Sequence, residues 1–311
     1  MADGARHSIA IIPEVTYGVT PATPVWQKLP MTETSLATSK DKLMSNIVRD
    51  DRQYSDMRMG ARKIGGDIGI ELAYGTFDVI LEALLGGTWT ADTPAAGTAQ
   101  LKTGILRRSF SVERYFADIP DKPYALYTGV EFDELSLTLA NNSIAKGSLK
   151  VLGQDEALNT DPVSGATYLP PSMNSALDAF TGVMKIGGTT VAIVSELQLS
   201  IANGLAARFV VGSKTTIRPS IARSNVSGTA TLYFVDTTMK QKFLNETDDA
   251  LEFTMPDGAG NSLKVRLPRV KYQAAPSDVK GDGPILSAMP FQALLDSVTG
   301  SNIFIERTPH A

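Results

Sequence analysis

The chain has no cysteine. Disulfide scaffolds, Cys-ligated zinc, iron–sulfur clusters and thiol nucleophiles are therefore excluded together. Histidine is almost as scarce: His7 and His310 are the only two, one near each end, which argues against an imidazole-based triad or a multi-histidine metal site. No uncharged apolar run approaches the roughly 20 residues that a membrane-spanning helix requires. The stretch from Met1 to His7 holds no signal-peptide apolar core, so the expectation is a soluble protein made in a cytoplasm. On that expectation the Asn-x-Ser/Thr triplets at Asn141, Asn225 and Asn245 carry no sugar. A basic excess is missing as well, since 29 Lys and Arg stand against 33 Asp and Glu. A grip on nucleic acid through its phosphates is not expected from that balance.

What the chain does have is alternation. Ile68, Ile70 and Leu72 alternate with Asp67, Gly69 and Glu71, the period of a strand with one buried face. After Gly75 the period changes. Phe77, Ile80, Leu81 and Leu84 form one helical stripe, Thr76 is placed to cap it, and Gly86-Gly87 supplies the stop. A second copy of this strand-to-helix unit starts at Gly228, the counterpart of Gly66: Ala230, Leu232 and Phe234 take the strand positions, and Thr238, Met239 and Phe243 match Thr76, Phe77 and Leu81. Its helix is the poorer match, because Lys242 and Glu246 replace Ile80 and Leu84.

Residues 1–30 read as an N-terminal arm: apolar Ile9 to Ile12, a turn-rich stretch from Pro13 to Pro24 whose prolines exclude a continuous helix or central strand, then Trp26. Residues 31–155 form a first β domain. Its opening, 31–63, is polar, with Arg49, Asp50, Asp51 and Arg52 followed by Tyr54 and Arg58. It reads either as a solvated loop with weak internal ion pairs or as a long loop reserved for a neighbouring subunit. Val130 to Leu139 alternates cleanly, Asn141-Asn142 turns, and Gly147 to Leu152 returns, the pattern of a hairpin. Residues 156–188 are rich in proline turns and read as linker or insertion, with a short helix near Ser175–Phe180.

Residues 189–311 repeat the order of elements as a second domain, with strands at Glu196–Ile201, Ala207–Val211, the Gly228 unit, Leu251–Met255, Ser262–Pro268 and Ile285–Leu295. Leu36 to Gly66 and Leu199 to Gly228 are nearly equal spans, so the repeat extends beyond one motif. Glu134–Asn141 also resembles Glu196–Asn203, with no third copy. The closing run Asn302–Glu306 is a candidate partner for Ile9–Ile12.

Motifs for chemistry fail one by one. Gly212-Ser213-Lys214 has the end of a phosphate loop, but Ser213 separates Gly from Lys and Ala207 stands where a glycine is needed. No serine sits in a Gly-x-Ser-x-Gly elbow, and Asp50-Asp51 and Asp248-Asp249 lack the frame of a calcium loop. No cofactor or metal is predicted.

Tyr17 to Trp26, Arg49 to Arg52, Gly65 to Tyr74 with its helix, Val226 to Phe234 and Leu267 to Tyr272 together resemble, in that order, the tail tube (major tail) proteins of long, non-contractile-tailed bacteriophages. The resemblance covers most of the chain. It implies a mainly β fold: tandem β-sandwich domains, each with a short flanking α-helix, whose sheets join those of neighbours in a ring-closed β-barrel. Rings then stack through the arm and a long loop into a conduit for DNA. The chain's main partner is itself, as a homotrimeric pseudo-hexamer if it carries two domains and a homohexamer otherwise. Tape measure protein and tail terminator are further expected partners, in a virion tail assembled in the bacterial host cytoplasm.

Contact candidates are Trp26, Arg49, Asp50, Asp51, Arg52, Tyr54 and Arg58. Lumen-facing candidates are the hairpin's polar positions Glu131, Asp133, Ser136, Thr138, Ser148 and Lys150. An acidic lumen would repel DNA phosphates, which a net charge of −4 permits. The alternative is a soluble β-sandwich that binds a carbohydrate or protein ligand through a concave aromatic patch. An enzyme would have to work with Asp/Glu, Lys or Ser and without His or Cys, as carboxylate-only glycosidases do, and none is expected.

Overall fold

Period-two alternation dominates the sequence, and strands dominate the structure. This computed structural model describes residues 3–279 and 281–310, so Met1 and Ala2 of the expected arm and Lys280 and Ala311 of the expected second domain fall outside it. The first half comprises β1 (His7–Pro13), β2 (Val25–Leu29), β3 (Glu33–Thr34), β4 (Ala37–Met44), β5 (Met57–Glu71), α1 (Asp78–Leu85), β6 (Ala99–Lys102), β7 (Phe110–Phe116), β8 (Tyr124–Ala140), β9 (Lys146–Gly153) and β10 (Asp155–Asn159). After β11 (Thr167–Leu169), β12 (Val183–Ile186) and β13 (Thr189–Thr190) come β14 (Val194–Ala202), β15 (Ala206–Arg208), β16 (Ile217–Ser220), β17 (Asn225–Tyr233), α2 (Thr238–Leu244), β18 (Asp249–Pro256), β19 (Ser262–Tyr272), β20 (Leu286–Ala293) and β21 (Phe304–Thr308).

One sheet has the order β11, β2, β1, β7, β8, β10, using only the first part of β8. A second runs β4, β5, β9, β8, β14, β17, β20, β19, antiparallel at every step. Beyond it, β18 and β21 flank the first part of β19. Inward side chains of both sheets, among them Ile11, Ile68, Phe110, Leu137, Leu199 and Phe291, form one core with Ile80 and Leu84 of α1. This is a sandwich-like packing, and among the described residues the strands do not close into a barrel.

The first four strands of the long sheet, β4-β5-β9-β8, have the same order of roles as the last four, β14-β17-β20-β19. Gly66 pairs with Val151 and Val151 with Phe132; in the other half Gly228 pairs with Phe291 and Phe291 with Tyr272. Both glycines are required by close approach. A Cβ on Gly66 would stand 2.6 Å from the Leu36 Cα, and one on Gly228 would stand 2.2 Å from the Gln198 carbonyl oxygen. The look-alike runs Glu134–Asn141 and Glu196–Asn203 turn out to be antiparallel neighbours, with Leu135 opposite Ile201 and Leu137 opposite Leu199.

Several expectations are corrected. Ile9–Ile12 pairs with β2 and β7 rather than with the closing strand, which lies between β19 and β6. Ile9 and Ile11 enter the main core while Ala10 and Ile12 cover Trp26, so β1 is buried on both faces as a central strand is. The expected loop is only 45–56, for residues 37–44 and 57–65 pair as β4 on β5 and make it the tip of a long hairpin. Away from its base at Ile64 the hairpin stands largely exposed on both sides, which removes the alternation that would have marked it.

No helix forms at Ser175–Phe180. There the Leu177 N–H donates to the Leu72 carbonyl and the Leu177 carbonyl accepts from the Ala145 N–H, so the backbone is already used across strands. Thr76 does not cap α1: its hydroxyl points to the Tyr74 carbonyl, 3.5 Å away, and Phe77 occupies the cap position. Gly86 ends the helix in the left-handed region, φ +62°, as expected. Of Ala207–Val211 only the start is strand, in β15, and Phe209, Val210 and Val211 are exposed.

Candidate assembly surfaces

The long sheet buries one face and offers the other. Register sets Ser148, Ser136, Ser200, Ser227, Gln292 and Lys271 side by side across six strands. The next row is Glu71, Lys146, Thr138, Gln198, Thr229 and Pro290. Of the lumen-facing candidates, Ser136, Thr138, Ser148 and Lys150 stand on this polar face, which also carries Asp67, Glu134 and Glu196.

Glu131 and Asp133 do not join them, being only 4% and 6% exposed. A bulge between Phe132 and Glu134 shifts the β8–β9 register there. The two successive acids Asp133 and Glu134 were its signal in the sequence. What covers the buried pair is the connection 203–224 between β14 and β17, which carries the β15–β16 hairpin. Arg218 donates from Nε to Glu131 at 2.6 Å, and Arg107 donates to the same carboxylate and to the Pro219 carbonyl. Asp133 accepts the Leu205 N–H at 2.6 Å, and Asn203 donates its side-chain amide to the carbonyls of Leu84 and Phe132. The Thr216 hydroxyl reaches the Gly153 carbonyl, and the Lys214 carbonyl accepts from the Arg62 N–H. The second half's connection is thus fastened onto the first half by ions and buried hydrogen bonds, which are costly to leave unmade.

The equivalent connection in the first half, the β4–β5 hairpin tip, has no such seat. Among the described residues, the hydrogen bonds of 45–56 stay within the hairpin, as in the Ser45 N–H to the Asp56 carbonyl and the Arg49–Asp51 ion pair. Asp50, Arg52 and Arg58 are exposed, and Tyr54 is 75% and Val48 95% exposed, with Leu43, Ile47, Met57 and Met59 alongside. Six of the seven contact candidates therefore share this projecting hairpin. Trp26 is the exception: it is fully buried within the chain against Ala10 and Ile12. Sequence reasoning missed the apolar members Leu43, Ile47 and Val48, whose lack of any periodic partner was the available signal.

On the outer face of the first sheet, Tyr115, Tyr124, Tyr168, Lys28 and Glu113 line a cavity of about 220 Å³. The Tyr168 hydroxyl donates to Glu113. Burial pushes the Glu113 carboxyl up, against a smaller lowering by that hydroxyl. His7 sits within β1 with its ring 4.7 Å from Phe116; burial, then the Arg114 charge, hold it down to about 4, so it accepts the Arg114 Nε–H as a neutral ring. Among the described residues no three His, Asp or Glu side chains converge as a metal site would require, and no helix is long and apolar enough to cross a membrane.

No curated protein matches the chain. Residues 4–293 match the model of a family described as phage tail tube protein.

Proposed function

Because the chain belongs to the phage tail tube protein family and so to the structural proteins of virion tails, we propose that its copies form stacked rings around a lumen through which DNA passes. The observation that carries this reading is the head-to-tail strand order of the long sheet. Its two four-strand sets, first and second half, meet where β8 pairs with β14. The same junction is wanting at the two ends: β4 has one edge unpaired, and residues 274–279 beyond β19 make no backbone hydrogen bonds among the described residues. Joining the run after β19 of one copy to β4 of the next repeats the internal seam. Edges left open invite uncontrolled pairing, and a rotational ring removes them.

With two tandem β-sandwich units per chain, 31–155 and 189–311, three copies complete a pseudo-hexameric barrel. The polar face is then the lumen wall. Its hydroxyls and its acids interleaved with lysines offer no basic track for phosphates to settle on, and it is hydroxyl-rich rather than acid-dominated. A tape measure protein inside the tube and a terminator at its end complete the partners, in a siphophage tail built in the host cytoplasm. No catalytic role is proposed.

Negative-stain electron microscopy of the purified protein at high concentration is the test. Hollow rings or tubes with three copies per ring are expected. Six copies per ring would overturn the paired-unit reading while keeping the tube. Monomers only, even after addition of preformed tail tips, would favour a second reading, a soluble sandwich whose tyrosine-lined cavity beside Glu113 binds a carbohydrate.

A further inference from the structure

We propose that the tip of the β4–β5 hairpin docks on the second half of a neighbouring copy around Lys271, in the way that the 203–224 connection docks on Glu131 within the chain, with the charges exchanged. The inference rests on the ring reading and names its side-chain contact. The rows Gly66–Val151–Phe132 and Gly228–Phe291–Tyr272 align the two halves residue by residue. Glu131 precedes Phe132, and Lys271 precedes Tyr272. Counting back from the glycines, Arg218 precedes Gly228 by as many residues as Asp56 precedes Gly66. The Glu131–Arg218 pair inside the chain therefore corresponds to a Lys271–Asp56 pair between copies, with each sign reversed.

Both members are ready for it. Lys271 comes no nearer than 3.8 Å to Glu246 and 3.9 Å to Asp248, beyond hydrogen-bond reach. Asp56 is exposed, and among the described residues its carboxylate accepts only the Met57 N–H, through one oxygen. Apolar surface is available on both sides as well: Ile47, Val48 and Tyr54 are exposed on the hairpin, and Leu244 is exposed at the end of α2. Reversed charges also sort the halves. Asp56 on Glu131, or Arg218 on Lys271, would set like charges together, and such mispairing is strongly disfavoured. First half must then meet second half around the ring.

The absence of native cysteine makes the test clean. Asp56→Cys combined with Lys271→Cys, oxidised after tube formation, is expected to give covalently linked oligomers that end at the ring's copy number, with no linkage in either single variant. Independently, Lys271→Glu alone and Asp56→Lys alone should lose tubes and the two together should recover them, a recovery that separates lost docking from the repulsion Lys271→Glu sets up with Glu246 and Asp248. Tubes of the double-cysteine variant that give no cross-link on oxidation, or tubes unaffected by Lys271→Glu, would overturn the docking and leave the ring intact. Failure of the unaltered protein to form rings at all would instead overturn the ring reading beneath it.

Discussion

Glu131 illustrates what residue-level reading reaches and where it stops. Its place in an alternating strand marks it as polar and outward, and outward from the core it does point. Its burial comes from Arg107 and Arg218, brought together from distant parts of the chain, and nothing local announces them. Removing the carboxylate leaves two half-buried guanidiniums facing each other. Glu131→Ala should therefore cost roughly 3 kcal/mol, the low end for breaking a buried pair because Arg218 reaches solvent, read as a lower urea midpoint with unchanged slope. Trp26 is the opposite case. An aromatic after a run of prolines suggested a contact for another chain, but its partners Ala10 and Ile12 lie in its own arm.

At the scale of elements, those with one buried face were legible. The β5–α1 unit, the β8–β9 hairpin and the β18–β19 hairpin all follow their periodicity. The weaker second helix was legible too: α2 has no fully buried residue, whereas α1 buries Ile80, Leu81, Leu84 and Leu85. Leu81→Ala should accordingly cost about 2–5 kcal/mol, the range for a truncated core leucine. Phe243→Ala, at the matching position, should cost clearly less, because Phe243 is only partly buried. Equilibrium denaturation of the two variants compares them directly. Elements exposed on both faces or anchored only by backbone were not legible. The β4–β5 hairpin shows no alternation, and the Leu177 segment has helix-like composition but spends its backbone bonds on Leu72 and Ala145.

For the molecule as a whole, the order of elements along the sequence did not say which strands would be neighbours. The similarity of Glu134–Asn141 to Glu196–Asn203 held that information, since matching apolar residues face one another across β8 and β14, yet similarity alone does not say that two strands touch. Open ends and projecting tip set a whole-molecule prediction. Backbone amides of 45–56 and 274–279 should exchange rapidly in the free chain and slow by orders of magnitude in tubes, measured by hydrogen exchange on both forms. Equal rates in both would argue that these segments stay outside the assembly.

β8 has one more consequence. It runs for 17 residues, roughly 55 Å at strand rise, held between β7 and β10 at one end and between β9 and β14 at the other. A pull along its axis loads these bonds together, in shear, instead of peeling them apart one at a time. A flexing filament made of such chains would give way first in its connections, with this strand as the stiff member that carries tension across both sheets.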